Sequence, residues 1–217
     1  MSEPAYPISI SAAARAADTL REHIIEGRYQ SGEPLRETSL ARSLGVSRNT
    51  VRESFRMLAE DGLVEHAPNR GVTVRGLAAA DIQDIYRIRQ ALELLGLEAV
   101  AADPTVLSDV VTSAEEAAEA GDWLTVSTAD LRFHQTIVAA LGSPRLDAMF
   151  QRLLAELRLA FADMPDLRDF HEPYLRRNRE LVGLLRVGDI GAAREELTSY
   201  LEAAERQILG MLRRLNR

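Results

Sequence analysis

The sequence predicts a mainly α-helical chain, an N-terminal winged helix-turn-helix followed by a C-terminal antiparallel all-α bundle. Three observations carry this. Three short helical patterns with a tight Gly45-Val46-Ser47 turn precede two short strand-like runs. From residue 81 onward the apolar spacing is helical to the end. The charge balance also shifts between the two parts. Residues 1–76 carry ten Arg and ten Asp or Glu, whereas residues 77–217 carry sixteen Arg and twenty-three acids, so the whole net charge of −7 lies in the second part.

The first helix is expected from Ala13 to Glu26, with Ala16, Leu20, Ile24 and Ile25 on one stripe and a stop at Gly27. Residues 29–34 read as a turn by composition. The second helix, Glu37 to Leu44, turns Leu40, Ala41 and Leu44 inward, and Gly45 suits the left-handed position after it. Ser47 is placed to N-cap a third helix, Arg48 to Asp61, with Val51, Phe55 and Leu58 as its inner face. Leu63–His66 and Val72–Arg75 read as two strands with residues 67–71 as the tip between them. This gives a domain over 1–76, a linker over 77–80 and a second domain over 81–217. Helices of the latter are placed near 81–102, 104–120, 122–141, 144–163, 173–187 and 189–214, separated by Gly and Pro breaks.

The 217 residues are 46% hydrophobic and 27% charged, ordinary for a folded soluble chain. There is no cysteine, which excludes disulfides, thiolate nucleophiles, Fe–S clusters and cysteine zinc sites. No apolar run approaches the roughly 20 residues of a membrane span, and MSEPAYPISI lacks the basic and apolar regions of a signal peptide. A cytoplasmic protein without a membrane partner is therefore expected. The H-E-x-x-H, G-x-S-x-G, P-loop and G-x-G-x-x-G patterns are all missing, so no enzyme is expected.

Within the neutral first part, Arg42 to Arg56 holds four Arg against one acid, Glu53. A basic stripe on a neutral module attached to an acidic body points to double-stranded DNA as partner. A helix-turn-helix reads DNA by laying its second helix in the major groove. Arg48 and Arg52 lie at i, i+4 away from the apolar stripe, and Arg can grip guanine O6 and N7 with two hydrogen bonds. Ser47, Asn49 and Thr50 lie at the helix N-terminus, where hydroxyls, amides and backbone N–H groups favour phosphate. Arg36 precedes the second helix and suits the DNA backbone, and Arg70 at the wing tip suits a minor groove. Arg56, two turns down, reads as ordinary surface.

The run LARSLGVSRNTVRESFRMLAEDGLVEHAPNRGVTV, from Leu40 to Val74, strongly resembles the N-terminal domain of GntR-family bacterial transcription regulators. It carries that family's Leu-Gly-Val-Ser-Arg, Val-Arg-Glu and Asp-Gly-Leu-Val elements, with Thr50 where Pro is usual. Arg89-x-x-Leu92-Glu93, Asp130-x-x-x-His134 and Leu184-Leu185-x-x-Gly188-Asp189 resemble the all-helical FCD effector domain of the FadR subfamily, in its six-helix form. The resemblance implies a homodimer on a palindromic operator, more often a repressor. It also implies a small-molecule effector, commonly a carboxylic acid, bound inside the helical domain. Ser47, Arg48, Asn49, Arg52 and the Arg70-Gly71 tip match the family's DNA-contacting positions.

Asp130 and His134, at i, i+4, point from one helix face and can chelate a metal. In FCD domains two further His complete that site. The matching positions here are Asn178 and Tyr200, so the ligand set is incomplete for zinc, although an Asn oxygen would help a harder divalent cation. His171 is expected outside the helix, just before Pro173. No cofactor is assigned on this basis. An acidic effector would then be held by Arg89 and Arg158, with Asp130, His134, Asn178 and Tyr200 in the same pocket. Two other readings stand beside this one: a DNA-binding regulator with a ligand-free structural bundle, and a metal-dependent enzyme built on Asp130 and His134.

Overall fold

A computed structural model describes residues 11–68, 70–164 and 166–215. The chain forms two compact units, one up to Gly76 and one from Leu77 onward. In the first unit, α1 (Ala12–Ile25), α2 (Glu37–Leu44) and α3 (Arg48–Glu60) precede β1 (Val64–Ala67) and β2 (Gly71–Val74). Ser11 caps α1 by accepting from the Ala14 N–H at 3.1 Å. Gly45 ends α2 at φ 66°, a left-handed conformation that a side chain would strain. The buried faces of α1 (Ala16, Ala17, Leu20 and Ile24) and α3 (Val51, Phe55 and Leu58) pack into this unit's core with Leu35, Leu40, Leu63 and Val74 among others. Arg21 ties them further by donating to Asp61 at 2.5 Å.

The two strands pair antiparallel from Val64↔Val74 to Ala67↔Gly71. Residue 69, in the tip, lies outside the described residues. One expectation needs correction. The segment read as a plain turn before α2 continues as an added edge to β2. The Leu35 N–H donates to Val72 at 2.8 Å, the Val74 N–H to Glu33 at 3.0 Å and the Gly32 N–H to Val74 at 2.9 Å. Pro34, which has no N–H, is tolerated because the segment is an edge, and it is what hid the pairing from a propensity reading.

The described residues of the second unit form six helices: α4 (Ala79–Val100), α5 (Thr105–Glu119), α6 (Trp123–Ala139), α7 (Pro144–Ala162), α8 (Leu167–Arg186) and α9 (Ile190–Leu215). Helix α4 starts two residues earlier than expected, with Asp81 accepting from the Ala78 N–H at 2.8 Å. Helix α6 is central and packs on α4, α5, α7 and α8. Its approach to α4 is close: a Cβ on Gly96 would lie 2.3 Å from the Ile137 carbonyl oxygen.

Helix α8 is the main correction. It begins at Leu167, capped by Asp166, which accepts from the Arg168 N–H at 2.7 Å. Pro173 lies inside it, and His171 is therefore helical and buried rather than outside. An internal proline removes one helical hydrogen bond and clashes with the preceding turn. Aromatic packing compensates: Phe161–Phe170, Phe170–Tyr174 and Tyr174–Tyr200 ring centroids are 5.1, 5.2 and 4.8 Å apart.

Candidate functional site

Two clusters of polar side chains stand out, one in each unit. The first is the N-terminal half of α3. Ser47 accepts from the Thr50 N–H at 3.0 Å, and the two hydroxyls share a hydrogen bond of 2.8 Å. This locks the first turn of a helix whose opposite face is buried. Arg48 and Asn49 are exposed, with no side-chain partner among the described residues. Arg52 is 58% exposed, and its Nε donates at 3.0 Å to both oxygens of Glu37 on α2. That carboxylate holds the Arg52 guanidinium above its ordinary value. The pair uses Nε only, so the two terminal nitrogens stay available. Glu37 is a residue sequence reasoning missed; its position at the start of α2, opposite the α3 basic face, is the signal that was available. Arg36, Arg70 and Gly71 are exposed. Gly71 has φ 76°, which lets the chain leave the wing tip without strain.

The second cluster is inside the helical unit, and most of the residues expected there converge. Arg89 on α4 donates through Nε to Glu93 at 2.8 Å, and the other Glu93 oxygen lies 2.5 Å from Nδ1 of His134 on α6. Asp130, one turn before His134, accepts at the same oxygen from Asn178 Nδ2 of α8 at 2.9 Å and from the Tyr200 hydroxyl of α9 at 2.8 Å. Its second oxygen lies 3.7 Å from Nδ1 of His171. Burial opposes the Arg89 charge, but the Glu93 carboxylate outweighs it and holds the guanidinium above its usual value. Burial likewise works against the Glu93 anion, and Arg89 and His134 overcome it, so its carboxyl stays below the usual range. Asp130 is also lowered: burial opposes its charge, and His134, His171, Asn178 and Tyr200 together prevail. His171 is depressed, chiefly by burial, with Asp130 opposing and Arg158 adding to the effect. Tyr200 is raised well above 10 by burial and by the Asp130 charge, so it stays a neutral phenol.

Arg158 on α7 is half-buried and donates to Thr128 at 3.2 Å; burial lowers its guanidinium. It belongs to the edge of the cluster rather than its centre. Glu93, Tyr86 and His171 complete the cluster beyond the residues first picked. Glu93 was legible as the i+4 partner of Arg89, whereas His171 was hidden by Pro173. Among the described residues, the buried atoms of this cluster without a hydrogen-bond partner are Arg89 Nη2, Tyr86 OH, His134 Nε2, both His171 ring nitrogens and Asn178 Oδ1. The cavity beside Asp130 is nevertheless only about 10 Å³, lined by Val111, Phe133, His171, Leu175 and Asn178 among others. A larger groove of about 1030 Å³ opens outside it along α5 and α8, lined by Trp123, Arg168, Pro173 and Leu175 among others, and Leu175 borders both. Among the described residues no three His, Asp or Glu are grouped to hold an ion, and no helix is long and apolar enough to cross a membrane.

Comparison with known proteins agrees with both halves. Residues 12–74 match the model of the bacterial regulatory proteins of the gntR family, and residues 84–203 match that of the FCD domain. A relative from Paenarthrobacter nicotinovorans, named a probable D-xylose utilization operon transcriptional repressor, is 32% identical over 88% of this chain and 86% of its own. The gluconate operon transcriptional repressor of Bacillus licheniformis is 28% identical over 76% of this chain and 75% of its own. A solved GntR regulator from Rhodococcus sp. RHA1 superposes with a TM-score of 0.84 at 40% identity, covering 91% of this chain and 97% of that one. The winged unit with its exposed, N-capped basic helix falls within the first match and the helical unit with its buried polar centre spans the second, and the chain belongs to the gntR family of bacterial regulatory proteins as a DNA-binding transcriptional regulator with an FCD effector domain, not an enzyme.

Proposed function

We propose that this regulator is a ligand-responsive repressor that binds a palindromic operator as a homodimer. In this reading α3 enters the major groove with Arg48 and Arg52 on base edges. Ser47, Asn49, Thr50 and Arg36 fix register on phosphates, and the Arg70-Gly71 tip reaches the minor groove. The observation that carries it is the N-terminal half of α3: Arg48 and Asn49 have no side-chain partner among the described residues, and Glu37 holds Arg52 by Nε with no described partner on its terminal nitrogens. One winged unit offers few contacts, so two half-sites are needed for tight specific binding.

The effector is a small carboxylate bearing hydroxyls, taken into the helical unit. Arg89 Nη2, a donor only, suits a carboxylate, while the acceptor Asn178 Oδ1 suits a hydroxyl. Arg158 adds positive charge at the edge, and His134, Asp130 and Tyr200 frame the rest. A cavity of about 10 Å³ holds no more than a water. Effector entry therefore parts α8 from α5, along the groove that ends at Leu175. The names of the two relatives suggest the first ligands to try. The test is fluorescence anisotropy on a palindromic site selected from random DNA, with D-gluconate and other hydroxy acids against neutral D-xylose. Release of DNA by a hydroxy acid, lost in Arg89→Met, supports the reading. Tight binding to a single half-site by a monomer, or release by the neutral sugar alone, overturns it.

A further inference from the structure

FCD domains can hold a metal, and here the residues at that place do not fit one. Asp130 Oδ1 already accepts two hydrogen bonds, from Asn178 Nδ2 and from the Tyr200 hydroxyl. Both groups present hydrogens, not lone pairs, toward the carboxylate. An Asn amide turned to donate through nitrogen aims its oxygen elsewhere, and a protonated phenol is a poor metal ligand. The Tyr200 ring also fills space, packed edge-on to His134 at 5.0 Å and against Tyr174 at 4.8 Å. His134 has Nδ1 engaged with Glu93 and Nε2 free, but among the described residues no group of three His, Asp or Glu assembles there to hold an ion.

We infer that Asp130, Asn178 and Tyr200 form an ion-free clasp that joins α6, α8 and α9 in place of a metal, so that the helical unit folds and holds its core without one. The three residues come from three different helices, and Asp130, which carries the shared acceptor, is 8% exposed. Two hydrogen bonds to a buried carboxylate satisfy it as an ion's coordination otherwise would, and each is of the stronger, charge-assisted kind. Because the donors are hydrogens on fixed side chains, the clasp does not depend on metal supply. The inference concerns the fold of the unit and is independent of which effector, if any, binds there.

The test uses the full-length protein as purified, with elemental analysis and thermal melts in EDTA and in zinc chloride. Wild type is expected to carry far less than one zinc per chain and to melt at the same temperature in EDTA as without it. Tyr200→Phe, which removes one hydrogen bond and little volume, is expected to lower Tm and to remain indifferent to EDTA. Asn178→His combined with Tyr200→His adds two imidazoles beside Asp130 and His134. That variant is expected to retain zinc and to show a Tm that zinc raises and EDTA lowers again, since an ion bound only by the folded state stabilises it. Near-stoichiometric zinc in wild type, with a Tm that falls in EDTA, would overturn the clasp, and its loss in His171→Ala would identify the ligand that replaces Asn178. An unchanged Tm in Tyr200→Phe also overturns it, as does a folded double variant that gains no zinc. If the double variant fails to fold, the wild-type and Tyr200→Phe arms still decide.

Discussion

Two arginine–glutamate pairs of nearly equal length divide the labour of this molecule. Arg89–Glu93 lies at 2.8 Å with side chains 2% and 0% exposed; Arg52–Glu37 lies at 3.0 Å with side chains 58% and 33% exposed. The first joins residues one turn apart on α4, and its carboxylate also meets Nδ1 of His134 on α6. The second joins two helices of the winged unit at its surface. The buried pair has no water to fall back on, so loss of either member strands a charge in the core. The exposed pair is solvated on both sides and contributes little to stability. In the proposed reading of DNA its part is to aim a side chain. The same chemistry would then hold a core in one unit and present a reading head in the other.

The largest effect expected from this contrast is at Glu93. Glu93→Ala leaves Arg89 charged and unpaired and His134 without its Nδ1 partner. Destabilisation of the helical unit by about 3–5 kcal/mol is expected in urea unfolding. The combined Arg89→Met and Glu93→Leu variant removes both charges and is expected to recover most of that loss. A cost for Glu93→Ala below about 1 kcal/mol, the range of a surface pair, would mean Arg89 reaches water, and the contrast fails. The pH dependence follows in sign. Glu93 and Asp130 are held below their ordinary values in the folded state. Their contribution is therefore present above the unfolded carboxyl range of about 4 and is lost as pH falls through the folded values. Unfolding free energy measured between neutral pH and acid should drop below that range, and Glu93→Gln should flatten part of the drop.

Arg52 is the mirror case. Arg52→Ala is expected to weaken binding to a selected operator by about 1–3 kcal/mol and relax base preference at one position of each half-site. Its effect on unfolding is expected to stay within about 0.5 kcal/mol, as for other exposed positions. A mobility-shift titration at fixed salt with unchanged affinity would remove Arg52 from the base-reading set. A large loss of stability would instead make Arg52–Glu37 a structural pair.

These two regions were unequally legible in the sequence. The α3 reading rests on local rules, namely a Gly at φ 66°, a Ser cap and an apolar stripe at i, i+4, i+7, and the element appears where those rules place it. Local rules ignore neighbours, so Glu37, fifteen residues away on another helix, could be found as the partner of Arg52 only by setting α2 against the basic face of α3. In the helical unit the spacing of Asp130 and His134 gave one face, and the family pattern gave Asn178 and Tyr200 as their neighbours across 48 and 70 residues. His171 failed for the opposite reason. A proline two residues on argues locally against helix, and only the packing of Phe170 and Tyr174, a tertiary fact, overrides it. The pairing of Gly32–Leu35 with β2 was missed likewise, since Gly and Pro are poor strand formers whose place is set by the partner edge.

The smallest effect separates aiming from contact. Glu37→Gln removes the charge that holds Arg52 by Nε but leaves Arg52 itself in place. Stability should change by less than about 0.5 kcal/mol, since the pair is exposed. Two outcomes for DNA then differ in kind. If Glu37 only orients Arg52, specific binding weakens while binding to unrelated sequence is unchanged, because a freed guanidinium loses geometry and not charge. If Glu37 mainly repels phosphate, both kinds of binding tighten, and the log–log salt slope steepens by about one as an added net positive charge meets the backbone. Anisotropy titrations of wild type and Glu37→Gln on selected and scrambled duplexes at several salt concentrations distinguish these. The aiming role requires the first pattern: a lower ratio of specific to non-specific affinity with an unaltered non-specific slope. A ratio equal to that of wild type would leave Arg52 aimed by the groove alone, and the exposed pair would then be a surface salt bridge with no part in reading DNA.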